Sequence, residues 1–199
     1  MISPLIVKRI TDEKAAKAKE MLRMMGMSDW VFWGSHFINF FTIMIPQSLI
    51  VTLLMFYGFG GLPWFLWSSG WLFFLGMLLY NITTILSSML LTTVFNRPII
   101  AVVVSVILFE VSQSVPMALL NPTFRGKNFQ PDFNLMTLSC FLPNMGIHWI
   151  MTLMGNTEIY GHGVDSTNFW EKSQLYGSFT VGYVLLMMFL SIFFYGMSH

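Results

Sequence analysis

The chain has 199 residues, of which 55% are hydrophobic and only 10% charged. Twenty Phe, 17 Met and 7 Trp in this length exceed what one small soluble core can hide, because a soluble domain normally carries about 25% charged residues. That excludes a soluble globular enzyme, and a disordered chain as well, since disorder requires low hydrophobicity and high net charge. The formal net charge of +1 gives no electrostatic footprint for nucleic acid. The single cysteine, Cys140, excludes an internal disulfide framework.

In chain order, Met1–Val7 is apolar but too short to span a bilayer. It has no basic start ahead of a long apolar region, so it does not read as a signal peptide. It reads instead as the tail of a preceding span. Between Lys8 and Met25 the sequence predicts a cytosolic helix of about 14 residues. Glu13 and Lys17 stand at i,i+4 and alanines at 15, 16 and 18 favour helix. Leu22 and Met25 would give that helix a buried stripe. Met21, Met24, Met25 and Met27 form a soft, adaptable cluster. Gly26 is the stop, and Ser28 or Asp29 the cap of the next helix.

From Trp30 to Asn96 there is no Asp, Glu, Lys or Arg. A bilayer core of about 30 Å needs about 20 apolar helical residues, so this run holds two crossings. The first is predicted over about 31–57, kinked at Pro46. A breaker cluster, Gly58–Gly61 with Pro63, comes next, and Trp64, Trp67 and Trp71 read as an interfacial aromatic belt. The second span is predicted over about 68–95, with Asn81, Thr83, Thr84, Ser87 and Ser88 as a polar stripe for helix-to-helix hydrogen bonds. After the turn Asn96–Pro98, a third span covers about 99–120. It holds Glu110, the one acidic residue inside a predicted span. Its burial costs about 2.5–3.5 kcal/mol on insertion scales. Glu110 therefore reads either as a group on a transport path or as a tether to Ser112, Ser114 or a neighbouring helix.

After a polar loop over 121–134, the segment 135–154 is apolar but interrupted by Pro143, Asn144 and Gly146. It reads as a re-entrant pair of half-helices of about 8–10 residues each, broken at those three residues. A polar loop runs to Lys172, and a last, uncharged span covers about 176–196. Seven of the ten basic residues (Lys8, Arg9, Lys14, Lys17, Lys19, Arg23 and Arg97) fall on one side of this arrangement, which the positive-inside rule assigns to the cytosol. The fold expected is all-α: a polytopic membrane bundle of about four transmembrane helices with both termini cytosolic. Residues 1–28 form a cytosolic unit ahead of a transmembrane domain over 29–199. Walker A, H-E-x-x-H and paired-cysteine patterns are absent. His36, His148, His162 and His199 share no ligand spacing. No catalytic, cofactor or metal residue is therefore expected within the chain.

The segment Asp12–Met27, DEKAAKAKEMLRMMGM, resembles the E-K-E-x-x-L-K-E-x-M-R-x-M-G-L segment of the A-subfamily, lipid-exporting ABC transporters. Glu13, Lys14, Lys19, Glu20, Arg23, Met25 and Gly26 match it, and Lys17 and Met27 nearly so. Ala15 and Ala18 depart from it. Weaker echoes are Thr93, Phe95 and Arg97, and Leu142-Pro143 with Gly146. The resemblance implies that Glu13–Met25 acts as a coupling helix against an ATPase domain. It also implies that the broken pair helps enclose a lipid path. The partners implied are membrane lipids, a nucleotide-binding domain and a second transmembrane half, with ATP entering only through that domain. Members of that family are much longer, so the chain resembles the later part of one transmembrane half. The alternative is a membrane interaction or regulatory protein, or a non-functional fragment, that moves nothing itself.

Overall fold

The computed structural model describes residues 3–16, 18–26, 28–58, 63–95, 97–120, 132–172 and 176–197. Eight helices are ordered along them: α1 (Ser3–Ala15), α2 (Ala18–Met24), α3 (Asp29–Tyr57), α4 (Gly70–Val94), α5 (Pro98–Leu120), α6 (Phe133–Ser139), α7 (Pro143–Ile159) and α8 (Val181–Met197). The chain is thus all-helical in its ordered elements. Two helices are long and apolar enough to cross a bilayer, Trp30–Tyr57 and Gly70–Val94, and Pro98–Ser114 and Val181–Met197 are shorter apolar stretches. Of the predicted loop over 121–134, residues 121–131 lie outside the described residues, as do most of the breaker cluster after Gly58, Lys17, Met27 and Asn96, and its last two residues, Phe133 and Asn134, begin α6.

The N-terminal segment differs from the expected single helix in the middle of the motif. One helix, α1, carries both the apolar start and the first charges, and α2 begins anew at Ala18. The reason is burial. Ser3, Ile6, Val7, Ile10 and Thr11 form a stripe at helical spacing, and it is closed from solvent against α4 and α5. Ile6 and Ile10 pack with Phe40, Met44, Ile85 and Met89. The Ser3 and Ser88 hydroxyls meet at 2.7 Å. Among the described side chains, the polar half of the motif buries none in this way. Met21, Met24 and Met25 stand exposed, so Met25 does not line a buried face as expected. Gly26, at φ +90°, turns the chain from α2 into α3, a conformation that costs a Cβ-bearing residue about 1–2 kcal/mol.

Helix α4 is the centre of the bundle, touching α1, α3, α7 and α8. Its polar stripe, expected to bond between helices, does so at Asn81 and Ser88, while Thr83 and Ser87 bond within their own helix. Asn81, 4% exposed, donates to the Ser48 hydroxyl of α3 at 2.6 Å and to the Met44 carbonyl at 3.4 Å. Thr83, Ser87, Ser88 and Thr92 return their hydroxyls to carbonyls of their own helix. Helix α3 continues unbroken through Pro46. Interhelical hydrogen bonds in membrane proteins average about 0.6 kcal/mol, with a maximum of about 1.7. Asn81→Ala is therefore expected to lower stability by about 1 kcal/mol. Unfolding of the purified chain by SDS titration in mixed micelles would measure it. A loss no greater than that of a lipid-facing control, Ile43→Ala, would contradict the assignment.

The larger core lies between α4, α7 and α8. Phe73, Trp149, Ile150, Leu153, Met154, Phe179 and Met188 are among its buried members. Trp149 stacks edge-on against Tyr176 and Phe179, with centroids 5.5 and 5.3 Å away, and its indole N–H donates to the Ser139 hydroxyl at 2.9 Å.

Candidate functional site

The segment 133–159 is broken, as Pro143 predicts, but the break sits at Cys140–Leu142. Pro143 takes the first position of α7, where its missing N–H is an orphan in any helix and its fixed φ suits the helical start. Asn144 and Gly146 therefore lie inside α7, not in the break. The two helices have 7 and 17 residues rather than two similar halves. The helix runs on to Ile159 through residues expected in a loop.

Each of the three residues does something different from breaking the chain. The Asn144 amide donates to the Phe109 carbonyl of α5 at 3.1 Å, and its oxygen accepts the Tyr80 hydroxyl of α4 at 3.4 Å. The start of α7 is thereby tied to two helices at once. Gly146 provides a close approach to α8, where an added Cβ would stand 2.7 Å from Met188. The outer ends of the pair meet neighbouring elements: Phe133 packs edge-on against Phe179 ahead of α8, and Glu158 reaches the α3–α4 turn.

That last contact had no advance signal in the sequence. One Glu158 carboxylate oxygen accepts the main-chain N–H groups of Trp67 and Ser68 at 3.0 and 2.7 Å, and the other those of Leu66 and Trp67 at 3.2 and 3.3 Å. Beside it the chain crosses itself again. Ser69 N–H donates to the Val164 carbonyl at 2.8 Å, and Val164 N–H to the Ser68 hydroxyl at 3.1 Å. Gly163 sits so close that a Cβ would lie 1.8 Å from the Trp67 carbonyl oxygen. The turn is further fixed by Phe65, buried against Phe56 and Phe73, while Trp64, Trp67 and Trp71 stand exposed, as an interfacial belt requires. Partners about 90 residues apart leave no periodicity to read.

At the opposite end of α4, Glu13 and Lys14 turn inward. Glu13 lies 3.0 Å from the buried His36 imidazole of α3 and 3.7 Å from the Arg9 guanidinium. His36 packs between Phe32 and Phe40. Lys14 donates to the Thr92 carbonyl, one of the last carbonyls of α4, where a cation is favoured by unsatisfied acceptors and the helix dipole. Its ammonium also stands 5.7 Å from the Trp33 ring centroid. Of the remaining motif residues, Glu20 and Met25 are exposed and Gly26 makes the turn. Lys17 lies outside the described residues, as do the side chains of Lys19 and Arg23. Helix α2 packs on α1.

Glu110 stands on the exposed face of α5. Ser114 donates to its main-chain carbonyl and Ser112 to that of Phe109, so neither serine holds the carboxylate.

A helical bundle with two span-length apolar helices, a charged helix pair at one end and a broken helix pair beside its core fits a membrane domain. The chain belongs to the ABC-2 transporter family, whose description as an ABC-2 family transporter protein matches residues 1–198; it is an integral membrane protein. Among curated relatives, it is 26% identical over 191 residues to the rat ATP-binding cassette sub-family A member 17, covering 96% of this chain and 10% of that protein. It is 27% identical over 198 residues to human phospholipid-transporting ATPase ABCA3, covering 96% of this chain and 11% of that protein. It is 30% identical over 105 residues to the bovine retinal-specific phospholipid-transporting ATPase ABCA4, covering 53% of this chain and 4% of that protein. The chain thus spans about a tenth of the length of the first two relatives. The resemblance read from Glu13–Gly26 and the family match agree.

Proposed function

We propose that this chain is the later part of one transmembrane half of a lipid-exporting ABC transporter. It moves phospholipid or a similar amphiphile only within an assembly that supplies a nucleotide-binding domain and a second transmembrane half. The observation that carries the reading is the division of labour within the Glu13–Gly26 motif. Glu13 and Lys14 are spent on α3 and α4, while Glu20, Met21 and Met24 of α2 and Met25 just after it stand exposed. One half of the motif grips the bundle and the other half is left for an ATPase domain to push. Lys17, Lys19 and Arg23 belong to the coupling surface in this reading, with Met25 and Gly26 at its exit.

The membrane is crossed four times, by α3, α4, α5 and α8, with both termini cytosolic. The pair α6–α7 re-enters from the extracytoplasmic side, a reading supported by Phe133 meeting Phe179 and Glu158 meeting the α3–α4 turn. Glu110 faces a polar path or the second half. ATP hydrolysis is the work of the nucleotide-binding domain, and ATP is the only cofactor, held there.

The test reconstitutes the assembly in liposomes and follows a labelled phospholipid. ATP-dependent movement is expected. The double variant Lys17→Glu, Lys19→Glu is expected to insert normally and cut that movement by about fivefold, since surface charge pairs contribute only about 0–1 kcal/mol each. No ATP-dependent movement by the unaltered assembly would overturn the reading. Reduced insertion with unchanged transport per inserted molecule would show that the lysines only fix topology.

A further inference from the structure

Between the α3–α4 turn and the end of α7 lies an open, mostly apolar cavity of about 530 Å³, lined among others by Met55, Trp64, Trp67, Met151, Glu158 and Ile159. We propose that it binds an amphiphile with an organic ammonium head, the head lying between the Glu158 carboxylate and the indole faces of Trp64 and Trp67. The proposal rests on the amphiphile reading above and adds the charge of the head.

Three observations carry it. First, Glu158 is held by the amides of Leu66, Trp67 and Ser68, yet no Lys, Arg or His stands within ion-pair distance among the described residues. Amide dipoles orient and stabilise a carboxylate but do not cancel its charge. The cavity therefore has a fixed negative rim that repels anions and attracts cations. Secondly, its other polar boundary is two indole rings, 78% and 65% exposed. An indole face attracts a cation through its quadrupole, and aromatic cages with a nearby carboxylate suit quaternary ammonium groups, which cannot donate hydrogen bonds. A head that must accept hydrogen bonds finds few main-chain donors here, because the amides of Leu66, Trp67 and Ser68 are taken by Glu158. Thirdly, the rims are pre-organised. Phe65 is buried while its neighbours Trp64, Leu66 and Trp67 are turned out. Trp64 N–H is fixed to the Met55 carbonyl at 3.0 Å, and the Ser68–Ser69 segment is held by Val164. Little main-chain ordering remains to be done on binding. Met55, Met151 and Ile159 supply an apolar, adaptable wall for methyls and the start of an alkyl chain.

The experiment uses the full chain in lipid nanodiscs and three photoreactive dodecyl probes, with trimethylammonium, sulfate or maltoside heads. Labelled peptides are mapped by mass spectrometry. The ammonium probe is expected to label the peptides holding 55–67 and 151–159 about fivefold more than the maltoside probe, and the sulfate probe least. Glu158→Gln keeps a carbonyl acceptor for the amides and removes the charge; it is expected to bring the ammonium and maltoside probes to parity. Amide hydrogen exchange at Leu66–Ser69 reports whether that variant keeps the turn. If it does not, Trp64→Leu with Trp67→Leu decides: loss of the ammonium preference supports the site, and its retention overturns it. Equal labelling by the three heads, or a preference that survives Glu158→Gln with the turn still protected, overturns the ammonium site and leaves the transport reading standing. Failure of ATP-driven lipid movement in the assembly overturns that reading and leaves the labelling preference intact.

Discussion

Trp149→Ala is expected to destabilise the bundle by about 3–5 kcal/mol, the range for removing a fully buried aromatic side chain. Trp149 is 2% exposed and fills the junction of α6, α7 and the start of α8. The loss combines its apolar contacts, its edge-on contacts with Tyr176 and Phe179 and its bond to Ser139. Trp149→Phe retains most of the apolar volume and loses the N–H donor, which contributes about 1 kcal/mol. Ser139 still donates to the Met136 carbonyl, so it is not left orphaned. The ordering expected is wild type, then Phe, then Ala. SDS-titration unfolding of the three proteins measures it. An alanine variant within about 1 kcal/mol of wild type, the size of a single hydrogen bond, would mean that the α6–α7 pair does not depend on this junction.

Gly163→Ala is expected to cost about 3 kcal/mol, at the upper end of overpacking effects. The added methyl would meet main-chain atoms of Trp67 and Ser68 at 1.8–2.5 Å, and backbone cannot rotate away as a side chain can. The segment must withdraw. The Ser69–Val164 and Val164–Ser68 hydrogen bonds then break, while the core around Trp149 stays in place. Amide exchange separates these effects: faster exchange at Ser69 and Val164, unchanged exchange at Ile150 and Leu153. Full protection of Val164 in the alanine variant would contradict the geometry.

The helices were legible because a bilayer-length apolar run without charge has few other solutions, and α3, α4 and α5 fall where hydropathy puts them. The break after α6 was legible from Pro143, but its position was not. Proline disrupts what lies before it and starts a helix well, so Pro143 stands as the first residue of α7, whereas α3 runs on through Pro46. Which apolar residues face the core was not legible. Phe73 is fully buried and Trp71 is 67% exposed, yet lipid and core reward the same residue types. The inward turn of Glu13 and Lys14 was hidden for a related reason. A charged motif reads as solvated until His36 and the Thr92 carbonyl are placed beside it, and both are remote in sequence. The Glu158 contact was the least legible of all, since one glutamate at the end of an apolar helix says nothing about which loop it will hold.

Helix α7 is a rigid spacer fixed at both ends. Asn144 fastens its beginning to Phe109 and Tyr80, and Glu158 fastens its end to the amides of Leu66–Ser68. Its 17 residues make a rod of about 25 Å, and each residue turns it by about 100°. The two fastenings are therefore locked in rotational phase as well as in distance. Adding or deleting one residue between them would swing Glu158 about a quarter-turn away from its amides while Asn144 stayed put. The length of α7 is as fixed a property of this fold as the identity of the residues at its ends.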